Sequence, residues 1–247
     1  KPLIVPFGYY MMNLLHGDFG VSLKTGRDIR QTINESFVVS ARIGAWAMLI
    51  AIIVGIVLGS IAALMRNKWP DRVIVFFATL ATAMPSFVLA SLLLLLFCIK
   101  LKWIPVWNST NHNYILPVLS LSLYPMAYIT RLTKTSMLDV LGQDYIRTAR
   151  AKGVAAWKVI FKHGLRNALI PVITYVGPMT ASILTGSLVI EKIFTIGGLG
   201  SKFVDCITNR DYTMIMGTTI FLATLMVVMN LLSDLVYKLV DPRIKLE

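Results

Sequence analysis

Five long apolar runs, at about residues 38–65, 73–99, 114–131, 168–190 and 214–238, leave few folds open to this chain. Each is long enough to carry a helix across bilayer hydrocarbon, which takes roughly 17–25 residues. In lipid the backbone must satisfy its own hydrogen bonds, so only helices and closed barrels cross. The runs are continuous rather than alternating, which argues against barrel strands. Only 15% of the residues are charged, against about a quarter in an ordinary soluble domain. The expected fold is an all-α integral membrane protein, a helical bundle with five visible transmembrane helices.

The net charge of +12 would suit nucleic acid in a soluble protein. Here the excess of Lys and Arg in cytoplasmic connections explains it, and no nucleic-acid partner is expected. Of the 24 basic residues, fourteen fall in one set of connections: Arg66, Lys68 and Arg72, then eight from Arg131 to Arg166, then Lys238, Arg243 and Lys245. The opposite set holds ten, five of them in the stretch up to Arg42, together with Glu191, Asp205 and Asp211. This asymmetry assigns residues 131–167 and the C-terminus to the cytoplasm. Five spans with an inside C-terminus put residue 1 outside, and the chain opens on Lys1-Pro2. A sixth, upstream span is therefore expected. The chain divides into an extracytoplasmic segment 1–36, a membrane domain 37–238 containing the inner loop 139–167, and a cytoplasmic tail 239–247.

Within the spans, Gly55, Gly59 and Ala63 form a stripe of small residues spaced four apart, and Gly177, Ala181 and Thr185 form another. Such stripes let membrane helices approach closely. Pro85, Pro117 and Pro125 lie inside or near the ends of spans, where proline removes a hydrogen bond and bends a helix. Asn230 and Asp234 share a face late in the last run. An intramembrane carboxylate is a functional suspect, but Asp234 is close enough to the cytoplasmic end for a structural role. Cys98 and Cys206 are far apart, and His16, His112 and His163 are scattered, so no metal site is expected.

The longest inner connection runs Asp144-Tyr-Ile-Arg-Thr-Ala-Arg-Ala-Lys-Gly153 and continues to Asn167. Asp144 is read as an N-cap and Gly153 as a C-terminal cap of a short helix, with Arg150 and Lys152 favouring its negative end. A second amphipathic helix is expected over Ala155–His163. Two such helices can lie on anionic lipid or enter a groove of a partner. The small side chains of Ala149 and Ala151 favour the partner.

That decapeptide, followed by Leu165-Arg-Asn-Ala-Leu-Ile-Pro171, resembles the coupling-loop signature of binding-protein-dependent ABC importer permeases, in the form of the dipeptide, oligopeptide and nickel group. Arg147-Thr148-Ala149 stands where the general pattern has Glu-Ala-Ala, while Ala149, Gly153 and Leu165 keep their places. Leu15–Ser22, Glu191–Gly200, Asn209–Tyr212 and Asp241–Ile244 resemble the same branch, each in order along the chain. Gly197 replaces a frequent proline. Tyr175–Pro178 and Thr185–Glu191 look closest to the first permease subunit of oligopeptide importers.

The resemblance implies a non-catalytic permease of a bacterial inner-membrane importer, whose cargo is oligopeptide or, as the alternative, a nickel chelate or other small solute. Its implied partners are a second permease, two cytoplasmic ATPases that bind ATP and magnesium, an extracytoplasmic peptide-binding protein, and membrane lipid. No cofactor is implied for this chain. The residues implied to couple to the ATPase are Asp144, Tyr145, Arg147, Thr148, Ala149, Arg150, Lys152, Gly153 and Leu165. Gly198, Gly200, Arg210 and Asp211 are implied as an outer contact for the binding protein. The chain has no Gly-x4-Gly-Lys-Ser/Thr loop of its own. An ion-driven secondary transporter would need intramembrane ionisable groups and inverted repeats, and a membrane enzyme would need a nucleophile–base pair or metal cluster. Neither pattern is evident.

Overall fold

The computed structural model describes residues 4–108, 111–184 and 187–240, so Thr185 of the second stripe and the Asp241–Ile244 match lie outside the described residues. A short helix α1 (Ile4–Leu15) precedes α2 (Ile29–Leu64), α3 (Trp69–Ala83) and α4 (Ser86–Leu93), which passes into π-helical turns over Leu94–Lys100. α5 (Ile115–Leu141) is followed by α6 (Asp144–Ala151), α7 (Ala156–Lys158), π-helical turns over Val159–Leu165, α8 (Arg166–Ala168) and α9 (Ile170–Leu184). α10 (Leu188–Ile193), α11 (Leu199–Thr208) and α12 (Tyr212–Val240) complete the described chain. Among the described residues the only strand-like pairing is one bridge between Val21 and Asp28.

Among the described residues, three helices, α2, α5 and α12, are each long and apolar enough to cross a membrane, and two bent helix pairs bring the crossings to five if each pair counts as one. Four of the expected runs change in form, the 114–131 run by extending to Leu141 within α5. The 73–99 run is not one helix: the chain turns through 108° between α3 and α4, because Pro85 cannot continue α3 and Met84 is held extended before it. The 168–190 run ends as a helix at Leu184 within the described residues, and α10 is separate. The first run starts earlier, since Asp28 caps α2 by accepting from the Gln31 amide at 2.8 Å. At 36 residues, α2 is roughly 54 Å long and overshoots a hydrocarbon core of about 30 Å.

The first small-residue stripe is a packing seam. A Cβ at Gly55 would stand 2.8 Å from the Ile129 side chain, and one at Gly59 would stand 2.5 Å from the Thr130 carbonyl oxygen. α2 and α5 are thereby locked along most of their length, with Ala51, Ile129 and Val172 sealed in one cluster and Ala63, Met137 and Ala168 in the next. Gly177 serves the same purpose between α9 and α12, where its missing Cβ leaves room for Ser233. Pro125 lies inside α5 without ending it, and Pro117 sits harmlessly in the first turn of α5, where its missing N–H would have no helical partner.

One end of the bundle, the basic end, gathers Arg66, Lys68 and residues 144–168. Here Lys134 of α5 pairs with the buried Asp71 of α3 at 2.5 Å, and Asp71 also accepts from the Asn67 amide at 2.9 Å. At the opposite end, the start of α2 packs with Phe19, Leu199, Cys206 and Met214, and α10 packs on Ile43, Ala47 and Leu116.

Candidate functional site

α6 is a polar helix, exposed over most of its surface. Asp144, Tyr145, Arg147, Thr148, Arg150 and Lys152 are all exposed. One residue anchors the helix: Ile146 is fully buried, and Ala149 is half-buried beside it on the same face. Ala149 is thus partly turned toward its own bundle, while Ala151 is exposed. Asp144 is not the N-cap. Gln143 takes that position with extended backbone and no side-chain cap bond, which places Asp144 in the first turn, where its charge still favours the helix N-terminus. The Asp144 carboxylate lies 3.4 Å from the Arg147 guanidinium, both largely solvated, so the pair adds little to stability.

The C-terminal end of α6 follows the sequence reading. Gly153 has a φ of 75°, a left-handed conformation that glycine adopts without strain. The amides of Lys152, Gly153 and Val154 donate back to Thr148, Arg150 and Ala149. Beyond it the expected second helix begins at Ala156 and runs on past His163. From Ala156 the chain stays helical through the π turns to Ala168 and enters α9 at a bend of 45°. The reason is local: Gly164 fits beneath Leu141 of α5, and Leu165 joins the cluster around Met137 and Ala168. Asn167 donates from Nδ2 to the Tyr145 hydroxyl at 3.1 Å, tying α6 to the foot of α9. Ile146 and Asn167 were not among the sequence candidates; the burial of Ile146 could have been read from its place as the one large aliphatic in a polar helix.

At the opposite end, three of the four candidate contact residues are buried supports. Gly198 lies against Glu191, where a Cβ would stand 2.4 Å from Oε2, and Gly200 is closed in by Leu188. Asp211 is 4% exposed. Ser22 donates to its Oδ2 at 2.5 Å and the Thr213 hydroxyl to its Oδ1 at 3.1 Å. Only Arg210 is exposed.

Glu191, in sequence an outer-loop charge that opens the Glu191–Gly200 segment, is the hub of this end. It is 3% exposed. Ser40 of α2 donates to Glu191 Oε1 at 2.7 Å, the Ser201 amide donates to Oε2 at 2.9 Å, and the Leu199 amide donates to Ser40 at 2.8 Å. Lys192 and Asp205 form an ion pair beside it. Burial pushes the Glu191 carboxyl above its usual range, against the pull of the Ser40 and Ser201 hydrogen bonds. Burial would raise Asp211 too, but there the Ser22 hydroxyl and the Met214 amide prevail and hold the carboxyl below its ordinary value. No group of three or more metal-ligating side chains is present among the described residues.

Residues 55–246 match the family model of the binding-protein-dependent transport system inner membrane component. The dipeptide transport system permease protein DppB of Bacillus subtilis (strain 168) is 49% identical, over 99% of this chain and 80% of that protein. The oligopeptide transport system permease protein OppB of Haemophilus influenzae is 41% identical, over 99% and 81%. The glutathione transport system permease protein GsiC of Salmonella choleraesuis is 38% identical, over 99% and 80%. In fold, the chain resembles an inward-facing structure of the MetNI methionine ABC transporter at a TM-score of 0.69 and 14% identity, over 85% of this chain and 97% of that one.

Proposed function

The chain belongs to the family of binding-protein-dependent transport system inner membrane components, and on that premise we propose that it is one of two permease subunits of an ATP-driven importer of peptides. The relatives named above carry dipeptide, oligopeptide and glutathione in their names. Glutathione is itself a small peptide, so peptides are favoured over nickel chelates. The basic end faces the cytoplasm, as the surplus of Lys and Arg there requires, and the opposite end faces the binding protein, with Arg210 its exposed candidate contact.

The observation that carries the coupling role is the way α6 is mounted. Its polar face is free, its apolar face is pinned by Ile146, and the Tyr145–Asn167 bond joins it to α8, just ahead of α9. A helix so held passes a push from a docked ATPase to the spans rather than absorbing it in a loose loop. Tyr145, Arg147, Thr148, Arg150 and Lys152 form the docking face, while Ala149, Gly153 and Leu165 shape and seat it. ATP and magnesium are bound by the two ATPases, and hydrolysis is theirs. The exposed Trp157 and Phe161, flanked by Lys158 and Lys162, rest on the lipid surface.

The test uses the complete transporter reconstituted in liposomes, with peptide uptake and peptide-stimulated ATP hydrolysis both measured. Arg147→Glu combined with Arg150→Glu is expected to leave the subunit folded and membrane-inserted while abolishing stimulated hydrolysis. Full coupling in the double variant would sink the docking role. Ala149→Glu is unsuited, because it would drive a carboxylate into the subunit's own half-buried seam.

A further inference from the structure

Taking the peptide-importer reading as given, we infer that the cargo crosses through an uncharged chamber between α5, α9 and the break separating α3 from α4, and that this chamber holds peptide backbone without sorting side chains by charge.

Two cavities carry the inference. One, of about 500 Å³, is lined by Thr82, Met84 and Ser86 at the break, by Tyr124 of α5 and by Ser187 before α10. The other, of about 530 Å³, lies between Tyr128 of α5 and Thr174 and Tyr175 of α9. They share Met179 and Ser182 and so form one run along the two helices. Each volume is in the range that accepts a small ligand. On α5 the lining positions 121, 124, 125, 128 and 132 fall on one helical face.

The polarity of this face at its depth sets it apart from one built to meet lipid. Tyr124 is nine residues from the start of α5 at Ile115 and ten from Lys134 at the basic end, or roughly 14 and 15 Å along the helix. It therefore sits near mid-membrane. Tyr175 stacks on Tyr128 with ring centroids 4.1 Å apart, and its buried hydroxyl has no hydrogen-bond partner among the described residues. Tyr124 and Tyr128 are 42% and 41% exposed, and with Ser86, Thr174 and Ser182 they give this run hydroxyl-bearing side chains, which pure hydrocarbon disfavours and a hydrated path accepts. The other side of α5 shows what the apolar alternative looks like. There Leu123, Met126 and Ala127 meet Val73, Phe77 and Leu80 around a cavity whose single polar side chain is Thr130.

The chemistry of the lining sets what it can read. Neither cavity includes an Asp, Glu, Lys, Arg or His among its lining residues. Hydroxyls can donate to or accept from any peptide group, and methionine adapts to varied side chains. Discrimination between charged ligands requires a fixed opposite charge or a repelling like one, and this subunit's wall of the chamber supplies neither.

The complete transporter in proteoliposomes, loaded with Ala-Ala-Ala, Ala-Lys-Ala or Ala-Glu-Ala at equal occupancy of the binding protein, tests this. The wild type is expected to import the three within about twofold of one another. Ser182→Asp should slow the glutamyl peptide relative to the lysyl peptide by about fivefold, the size of one partly screened like-charge contact, and Ser182→Lys should reverse the order. Where a charged variant fails to assemble, Ser182→Cys modified in the assembled complex with anionic or cationic thiosulfonates makes the same comparison, with the unsubstituted protein as control for Cys98 and Cys206. Proportional changes in all three peptides, or none, overturn the chamber while leaving the importer intact. A wild-type complex that accumulates none of the peptides overturns the peptide reading and the chamber with it.

Discussion

At the end of the bundle opposite the basic segment, Glu191 and Asp211 are almost sealed from solvent and join segments more than 150 residues apart, Ser40 to Glu191 and Ser22 to Asp211. At the basic end, Arg147 and Asp144 meet in open solvent within one turn of helix, and a single aliphatic, Ile146, fastens α6 to the rest. Buried hydrogen-bonded carboxylates fix geometry at high cost if disturbed. Exposed charges cost little to change and are available to a partner. The same chain thus has one end whose shape is set internally and one whose charged surface stands open to solvent.

The comparison can be broken most directly at the hub. Glu191→Ala should destabilise the purified subunit by about 3 kcal/mol, since it strands Ser40 and the Ser201 amide in a dry site, with Glu191→Gln costing about 1 kcal/mol; denaturant unfolding in detergent reads both. Ile146→Ala should cost about 2 kcal/mol and raise hydrogen exchange across α6 without altering the opposite end. Gly59→Ala is expected to cost about 2 kcal/mol, because the clash is with the Thr130 carbonyl rather than a movable side chain. Acid should then separate the two carboxylates. The depressed Asp211 gives stability that is full above its ordinary value of about 4 and is lost as pH falls through its folded value, so Asp211→Asn should flatten acid sensitivity in that window. The raised Glu191 behaves oppositely, its contribution being full below about 4 and declining as pH rises through its folded value. Arg147→Ala, the smallest effect on stability, should stay within about 0.5 kcal/mol of the parent and yet weaken ATPase stimulation.

How much of this was legible depended on range. Apolar runs and the Gly55–Gly59–Ala63 stripe are local patterns, and the helices and the α2–α5 seam follow from them. The left-handed Gly153 was legible for the same reason. The turn at Met84–Pro85 was visible only as a proline, because both flanks are equally apolar and nothing local sets a bend of 108°. The small size of Ala149 does not tell which way its side chain faces; the burial of Ile146, one turn earlier, turns it partly toward the bundle. The Glu191 hub could not be read at all, since its partner Ser40 is 151 positions away. Gly198 and Gly200 were singled out as an outer contact, and burial shows them making room for that carboxylate.

The unbroken length of α2 has a mechanical consequence. Its opposite-end half is fastened to Glu191 through Ser40, and its basic-end half is keyed to α5 at Gly59. A rod cannot bend to dissipate a load as two jointed halves would. If it tilts by about 5° around its midpoint, each tip of this roughly 54 Å helix travels about 2 Å, in opposite directions and at the same moment. Opening at one membrane face and closing at the other then become two readings of a single seesaw.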